Sequence, residues 1–562
     1  MKTFKFSEGI VVAVVLTLLI GVALYLRVYL PYEHVFSGEW IKFTGIDAYY
    51  HMRLVDNLVT HFPERITFDP YTQYPYGRAI GWPPLFDWLL AGTIWLVSLG
   101  SPSQHTVDVV GVYFPAILGG LTLIPVYFIG KELFNHWVGI ISAGLVAVLP
   151  SAFFSRSILG FTDHHVAETL FTTVTMLFLI VAIRSAKHKQ LTFGHLRCKE
   201  WSVIVKPCVF SLLAGISLGM YILTWSGGLL FIFLIFIYLI IQSIIDHLKG
   251  ENIDYLAIIG TTSLLIALII SLPLLPQGVW SRHLYLPSFI LATLTAVGLT
   301  GVSHVFMNQR IRPLYYPITL IGLGLAGLAI FYFVAPSLLQ SMLGRFDIFT
   351  PAGAKLTIME VRPLLLPVGD FSFNLAWVSF NTAFFLGLIA LIILICLMVK
   401  RSTADRNLFV VWSLLMFVAV LGQRRFGYYY TINLALLTAY LSIPIYLTTQ
   451  LIIDYFRNRN TKDRRIAILQ YVGLIQKSAE PVDMPLIRKR DKTKTKRRAD
   501  SIITNRICAT IGAIAIFFLV FFPSIGTSIA IAKEPKFSPD NAWLETLSWL
   551  RENTPEPLSL KS

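Results

Sequence analysis

The sequence predicts an all-α polytopic membrane protein with about thirteen helical spans. Three observations carry this. Hydrophobic residues make up 55% of the 562, and the mean hydropathy is +0.68. Charged residues make up 14%, where a soluble domain carries roughly a quarter. Apolar runs recur along the whole chain, many of them near the roughly 20 residues that cross a hydrocarbon slab about 30 Å thick. One soluble core is thereby excluded.

The first run, Ile10 to Leu26, follows Lys2 and Lys5. It is long and continues into Arg27-Val-Tyr-Leu-Pro with no small-residue cleavage site, so it reads as an uncleaved first span. Further apolar stretches lie near residues 84–100, 109–130, 136–150, 166–183, 208–224, 228–243, 255–274, 285–306, 314–334, 376–399, 407–422, 428–452 and 506–532. With the first, these make about fourteen candidates.

The loops orient them. Basic residues gather at Lys187-His188-Lys189 with Arg197 and Lys199, at Arg310 and Arg312, at Lys400, Arg401 and Arg406, and in the loop 456–505 with Arg488-Lys489-Arg490. By the positive-inside rule all four loops are expected on the cytoplasmic side. The segments 30–108, 151–165 and 335–375, the turn 423–428 and the C-terminus then fall outside. That parity requires one early candidate not to cross. The weakest is 84–100, which follows Pro83-Pro84 and contains Asp87, so it is assigned as interfacial or re-entrant.

The net charge of +15 follows from these loops, and the run at 488–498 reads as a solvated cytoplasmic loop. The expected partner surface is the lipid bilayer, with no nucleic acid. Cys198, Cys208, Cys396 and Cys508 show no metal-binding spacing and read as inert thiols. No repeat with a period of about 20–50 residues is evident.

Four clusters of polar chemistry fall in the outward segments. The first is Gly45-Ile46-Asp47-Ala48-Tyr49-Tyr50-His51-Met52-Arg53, at the start of a predicted surface helix; alone, Asp47 would read as an N-cap. The second runs from Arg156 through Asp163-His164-His165 to Glu168. Ionisable side chains in a row at a membrane boundary are expensive unless paired or metal-bound. Asp163 and His165 alternate and would face the same way in an extended segment, and a carboxylate with an imidazole suits Mn²⁺ or Mg²⁺. Glu168 is expected to orient its neighbours or cap the next helix.

The third cluster is Thr357-Ile358-Met359-Glu360, in a loop long enough to be functional; alone, Glu360 reads as an exposed acid. The fourth is Gln423-Arg424-Arg425-Phe426-Gly427-Tyr428-Tyr429-Tyr430. Arginines opposite the basic loops suit an anionic ligand such as phosphate, with snorkelling to headgroups as the plainer alternative.

These residues resemble a family. Gly45-Ile46-Asp47 with Ala-Tyr-Tyr-His-Met-Arg, Tyr74-Pro-Tyr-Gly, Gly81-Trp-Pro-Pro-Leu-Phe-Asp-Trp, Asp163-His-His165, Tyr221-Ile-Leu-Thr-Trp225, Thr357-Ile-Met-Glu360 and Arg425-Phe426 occur in order over nearly the whole chain. They look like the catalytic subunit of archaeal oligosaccharyltransferases of the AglB type, membrane enzymes of GT-C architecture with two functional external loops. The resemblance implies transfer of an oligosaccharide from a dolichyl phosphate or pyrophosphate carrier to Asn of an Asn-x-Ser/Thr sequon, with inversion and with Mn²⁺ or Mg²⁺.

It implies that Asp47, Asp163, His165 and Glu360 hold the metal and that Asp47 and Glu360 contact the acceptor. Arg156 supports activity, and Trp225 and Arg425 face the lipid phosphate. It places the protein in the cell membrane with the active site on the extracellular face. It also implies a division into a transmembrane catalytic domain, 1–532, and the start of a truncated external C-terminal domain, 533–562. The family's Trp-Trp-Asp-Tyr-Gly motif is not in this sequence, so a separately encoded C-terminal domain is an expected partner.

The alternatives are another GT-C transferase using a lipid-phosphate sugar, an inactive or split membrane half, and a transporter of lipid-linked sugars. Transporters tend to carry ionisable residues at mid-span within inverted repeats.

Overall fold

The computed structural model describes residues 8–456 apart from 39, 280, 351–352 and 368, together with 465–466, 468–469, 510–535 and 540–554. Most of the basic loop expected at 456–505, including 488–498, lies outside the described residues, as does Cys508. The fold is helical. Among the described residues the strands are two short antiparallel pairs, Phe36–Ser37 with Trp40–Ile41 and Phe68–Asp69 with Arg78–Ala79.

Among the described residues, 12 helices are long and apolar enough to cross a membrane. They match twelve of the expected stretches, from Gly9–Val35 to Thr510–Lys533. The other two stretches form Leu85–Val97 and His136–Val148, of 13 residues each. At 1.5 Å per residue such a helix rises about 20 Å, short of a hydrocarbon core of about 30 Å. The first matches the assignment of 84–100 as non-crossing. The second is the remaining stretch of the about thirteen expected, and its helix is short for a local reason. The Asn135 side chain accepts from Val138 N to start that helix, and Leu149 is extended, as a residue before proline tends to be.

His136–Val148 is clasped tightly. A Cβ on Gly139 would meet the Tyr127 carbonyl oxygen at 2.5 Å, and one on Gly130 would meet Gly139 Cα at 2.7 Å. Two helices approach this closely only through small residues. Its C-terminal carbonyls are taken up by Arg27, which is fully buried. Arg27 donates to Ala147 O at 2.8 Å, Val146 O at 3.1 Å and Ser157 Oγ at 2.8 Å. A guanidinium there satisfies orphan carbonyls and complements the helix dipole.

The spans share one continuous core, and residues between 35 and 114, with Leu159 and Ala167, build a second, smaller one. The second core forms because Ile46–Thr60 buries Met52, Val55, Leu58 and Val59 on one face. These meet Phe86, Leu90 and Ile94 of Leu85–Val97. Asp47 and His51, one turn apart, are thus carried on a helix anchored outside the main bundle.

Candidate functional site

The segment 156–165 is held by backbone bonds. Leu159 N donates to Arg27 O, Gly160 N to Val112 O and Thr44 N to Gly160 O, each at 2.8 Å. Gly160 has φ +84, where a side chain is strained, and a Cβ there would meet Lys42 O at 3.1 Å. This seating presents Asp163-His164-His165 at the start of the His165–His188 helix.

Asp163 is buried and its two oxygens face different groups. Oδ1 lies 2.5 Å from His164 Nδ1, 2.6 Å from the His164 backbone N–H and 3.4 Å from His51 Nε2. Oδ2 lies 3.3 Å from His165 Nε2. His165 Nδ1 is 2.9 Å from Glu168 Oε1, so Glu168 orients His165, as its position suggested. Glu168 in turn accepts from the hydroxyls of Tyr428, at 3.1 Å, and Tyr429.

Behind His51 stands Asp87, fully buried, 2.7 Å from Nδ1. Its other oxygen accepts from Arg65 Nε at 2.9 Å. Burial works against charge on His51, but Asp87 and Asp163 outweigh it and lift the imidazole to about 10. Burial likewise works against the Asp163 carboxylate, yet the His165 and His164 rings hold it well below the usual range. Asp87 is lowered too, its burial offset by His51 and Arg65.

This donor set fits a divalent cation. Two groups of three side chains bring their ligand atoms within 4.8 Å of one another: His51, Asp163 and His164, and His164, His165 and Glu168. Two ligands at right angles on an ion with bonds of about 2.1 Å stand about 3 Å apart. The 3.3 Å between Asp163 Oδ2 and His165 Nε2 is close to that spacing.

Of the four expected ligands, the structure brings Asp163 and His165 together. Among the described residues neither three-membered group contains Asp47 or Glu360. Glu360 instead pairs with Arg156, Oε2 to Nη2 at 2.6 Å. Arg156 lies 5.0 Å from the centre of the Tyr428 ring, which links this pair to Glu168 and the histidines.

Asp47 lines a cavity of about 1770 Å³ together with His51, Trp82, Trp225 and Arg425. Arg425 Nε is buried with no hydrogen-bond partner among the described residues. Most of the remaining wall is apolar and comes from the spans Leu229–Leu248, Arg282–Asn308 and Tyr315–Val334.

His51, Asp87, Arg65 and His164 were assigned no role from the sequence. The signal for Asp87 was present: a carboxylate inside an apolar run costs several kcal/mol unless it is paired.

The profile of the family described as oligosaccharyl transferase STT3, N-terminal, matches residues 10–358. The chain is 24% identical over 549 residues to dolichyl-phosphooligosaccharide-protein glycotransferase 3 of Archaeoglobus fulgidus, covering 95% of this chain and 57% of that protein. The chain thus spans little more than half of that relative's length. The fold is similar to that of the archaeal oligosaccharyltransferase AglB from A. fulgidus in complex with an inhibitory peptide and a dolichol-phosphate. The TM-score is 0.79 at 22% identity, over 98% of this chain and 59% of that one. A crystal structure of the A. fulgidus oligosaccharyltransferase complex with Zn and sulfate gives a TM-score of 0.69 at 20% identity, over 96% of this chain and 56% of that one.

Proposed function

Because the chain belongs to the STT3 oligosaccharyl transferase family, we propose that it is the membrane-embedded catalytic part of an oligosaccharyltransferase. In this reading it moves a glycan from a dolichyl phosphate or pyrophosphate carrier to Asn of an Asn-x-Ser/Thr sequon. The observation that carries the reading is that one cavity joins an acid and imidazole rim, an arginine whose Nε has no partner among the described residues, and a long apolar wall. Such a cavity suits a substrate with a phosphate head and a hydrocarbon tail, and the related AglB was captured with a dolichol-phosphate and a peptide.

The residues divide the work as follows. Arg425 binds a phosphate oxygen, and Trp225 packs against the head, leaving the prenyl chain along the apolar spans. The acceptor amide is a weak nucleophile because its nitrogen lone pair is delocalised. Asp47 and Glu360 accept its two N–H bonds and favour a twisted amide whose lone pair is free. Arg156 holds Glu360 in place for this. The nitrogen attacks the anomeric carbon as the bond from that carbon to the carrier phosphate oxygen breaks. The amide proton leaves to a carboxylate, and the sugar inverts.

Asp163 and His165, with Asp47 and Glu360, would hold the divalent cation, Mn²⁺ or Mg²⁺. Bound there, it would neutralise charge developing on the leaving phosphate. The site would face the exterior of the cell membrane, with 1–532 as the catalytic domain and 533–562 the start of an external one.

The test combines purified chain, lipid-linked oligosaccharide, Mn²⁺ and an Asn-x-Thr peptide, with and without an added C-terminal domain. Glycopeptide formation in either arm, abolished by chelation and by Asn→Gln in the peptide, is expected. No glycopeptide in either arm overturns the proposal, and sugar on the Thr hydroxyl would favour a different GT-C transferase.

A further inference from the structure

The two oxygens of Asp163 are treated unequally. Oδ1 is enclosed by the His164 ring, the His164 backbone N–H and His51. Oδ2 faces only His165, at 3.3 Å, among the described ionisable groups. A carboxylate whose one oxygen is saturated cannot rotate about its Cβ–Cγ bond without breaking those contacts, so its other oxygen keeps one direction.

The enclosure is built from behind. Asp87 Oδ1 takes the Nδ1–H of His51 at 2.7 Å, which leaves Nε2 pointing at Asp163 and at His164 Nδ1, 3.1 Å away. Arg65 Nε and Nη2 both approach Asp87 Oδ2, at 2.9 and 2.7 Å, and Arg65 also donates to Trp82 O at 3.3 Å. The Asp87 and His51 side chains are 0% and 3% exposed, so these contacts are shielded from competing water. A carboxylate behind an imidazole is a recurrent means of fixing ligand orientation, and removing such a partner typically weakens metal binding by about 10–100-fold. Glu168 behind His165 makes the same arrangement on the opposite side.

We propose that Arg65, Asp87 and His51 form a positioning chain that locks Asp163 Oδ1, so that Oδ2 and His165 Nε2 are pre-set for the divalent cation. None of the three needs to touch the ion or the substrate. Their placement is long-range: His51 and Asp87 lie on the two helices of the smaller external core, and Asp163 lies at the top of a span. The chain therefore also ties that outer core to the bundle.

The inference rests on the cation reading above, and its test reads metal binding directly. Mn²⁺ affinity of the full purified chain is measured by calorimetry and by loss of the free-ion paramagnetic signal. His51→Leu keeps the bulk and removes the donor; it should weaken Mn²⁺ at least about tenfold. His51→Gln places an amide N–H near the position of Nε2 and should stay within about threefold of the unsubstituted chain. A residue that merely fills space would not produce that split. Affinity unchanged in His51→Leu, or Gln as poor as Leu, overturns the proposal. Should His51→Leu fail to fold, Asp87→Asn carries the test, with about tenfold weaker binding expected and unchanged binding decisive against it. If the unsubstituted chain binds no Mn²⁺, the cation reading falls and this inference with it; binding indifferent to these substitutions sinks the inference alone.

Discussion

The two sides of the site are built differently. On one side the Asp163 and Glu168 side chains are 3% and 0% exposed, and each makes several contacts to imidazoles or hydroxyls. On the other, the Glu360 side chain is 45% exposed, with its one ion pair, among the described residues, to Arg156. The same contrast holds in the spans behind them. In the apolar 18-residue stretch of His165–His188, 67% of the residues are buried within the protein, whereas in that of Tyr315–Val334, which walls the cavity ahead of the 335–375 segment, none is.

A buried, fully paired carboxylate costs nothing to orient at the moment of reaction, and so suits a permanent ligand. A half-exposed acid on the one-turn helix Met359–Val361, held by a single ion pair to Arg156, can share that partner with a substrate when one arrives. Under the proposed function, the centre would be pre-organised on the histidine side and completed from the Glu360 side.

The largest effect should come from the buried side. Asp163→Asn is expected to lower metal affinity and transfer each by about 100-fold or more, read by calorimetry and by the peptide assay. Equal metal affinity would break the comparison. Next, Glu360→Gln should lower transfer comparably yet shift the melting temperature little, because a half-exposed ion pair is worth about 0–1 kcal/mol. A large loss of stability would show that side to be as structural as the other.

Arg425→Lys should come third. It keeps the charge but loses the fork, raising the KM for the lipid-linked donor by about tenfold, equivalent to about 1.4 kcal/mol. The smallest functional effect is expected away from both sides. Arg27→Met should destabilise the fold by about 1–3 kcal/mol, by orphaning the carbonyls of Val146 and Ala147, with Mn²⁺ affinity unchanged. Thermal unfolding with parallel calorimetry separates the two readouts.

Much of this was legible in the sequence, because its signals are local. Twelve spans follow from apolar length, and the short helix within 84–100 begins directly after Pro83-Pro84. Asp163 and His165 were legible as a pair because two residues that alternate can face one ion. The ends of the helix at 136–150 were less legible, because apolar composition does not reveal where a helix stops. Asn135 at one end and Pro150 at the other shorten it, and Arg27, far away in sequence, completes its last turn.

The membrane class, the order of spans and the residue types available for the chemistry can therefore be read along the chain, since hydrophobicity and charge are properties of short windows. Which of those residues meet is set by the packing of the folded chain. It set Asp87 behind His51 across 36 positions and Glu360 on Arg156 across 204. Such pairings depend on how helices pack in three dimensions, and nothing in the spacing along the chain encodes the distance between two side chains once it has folded.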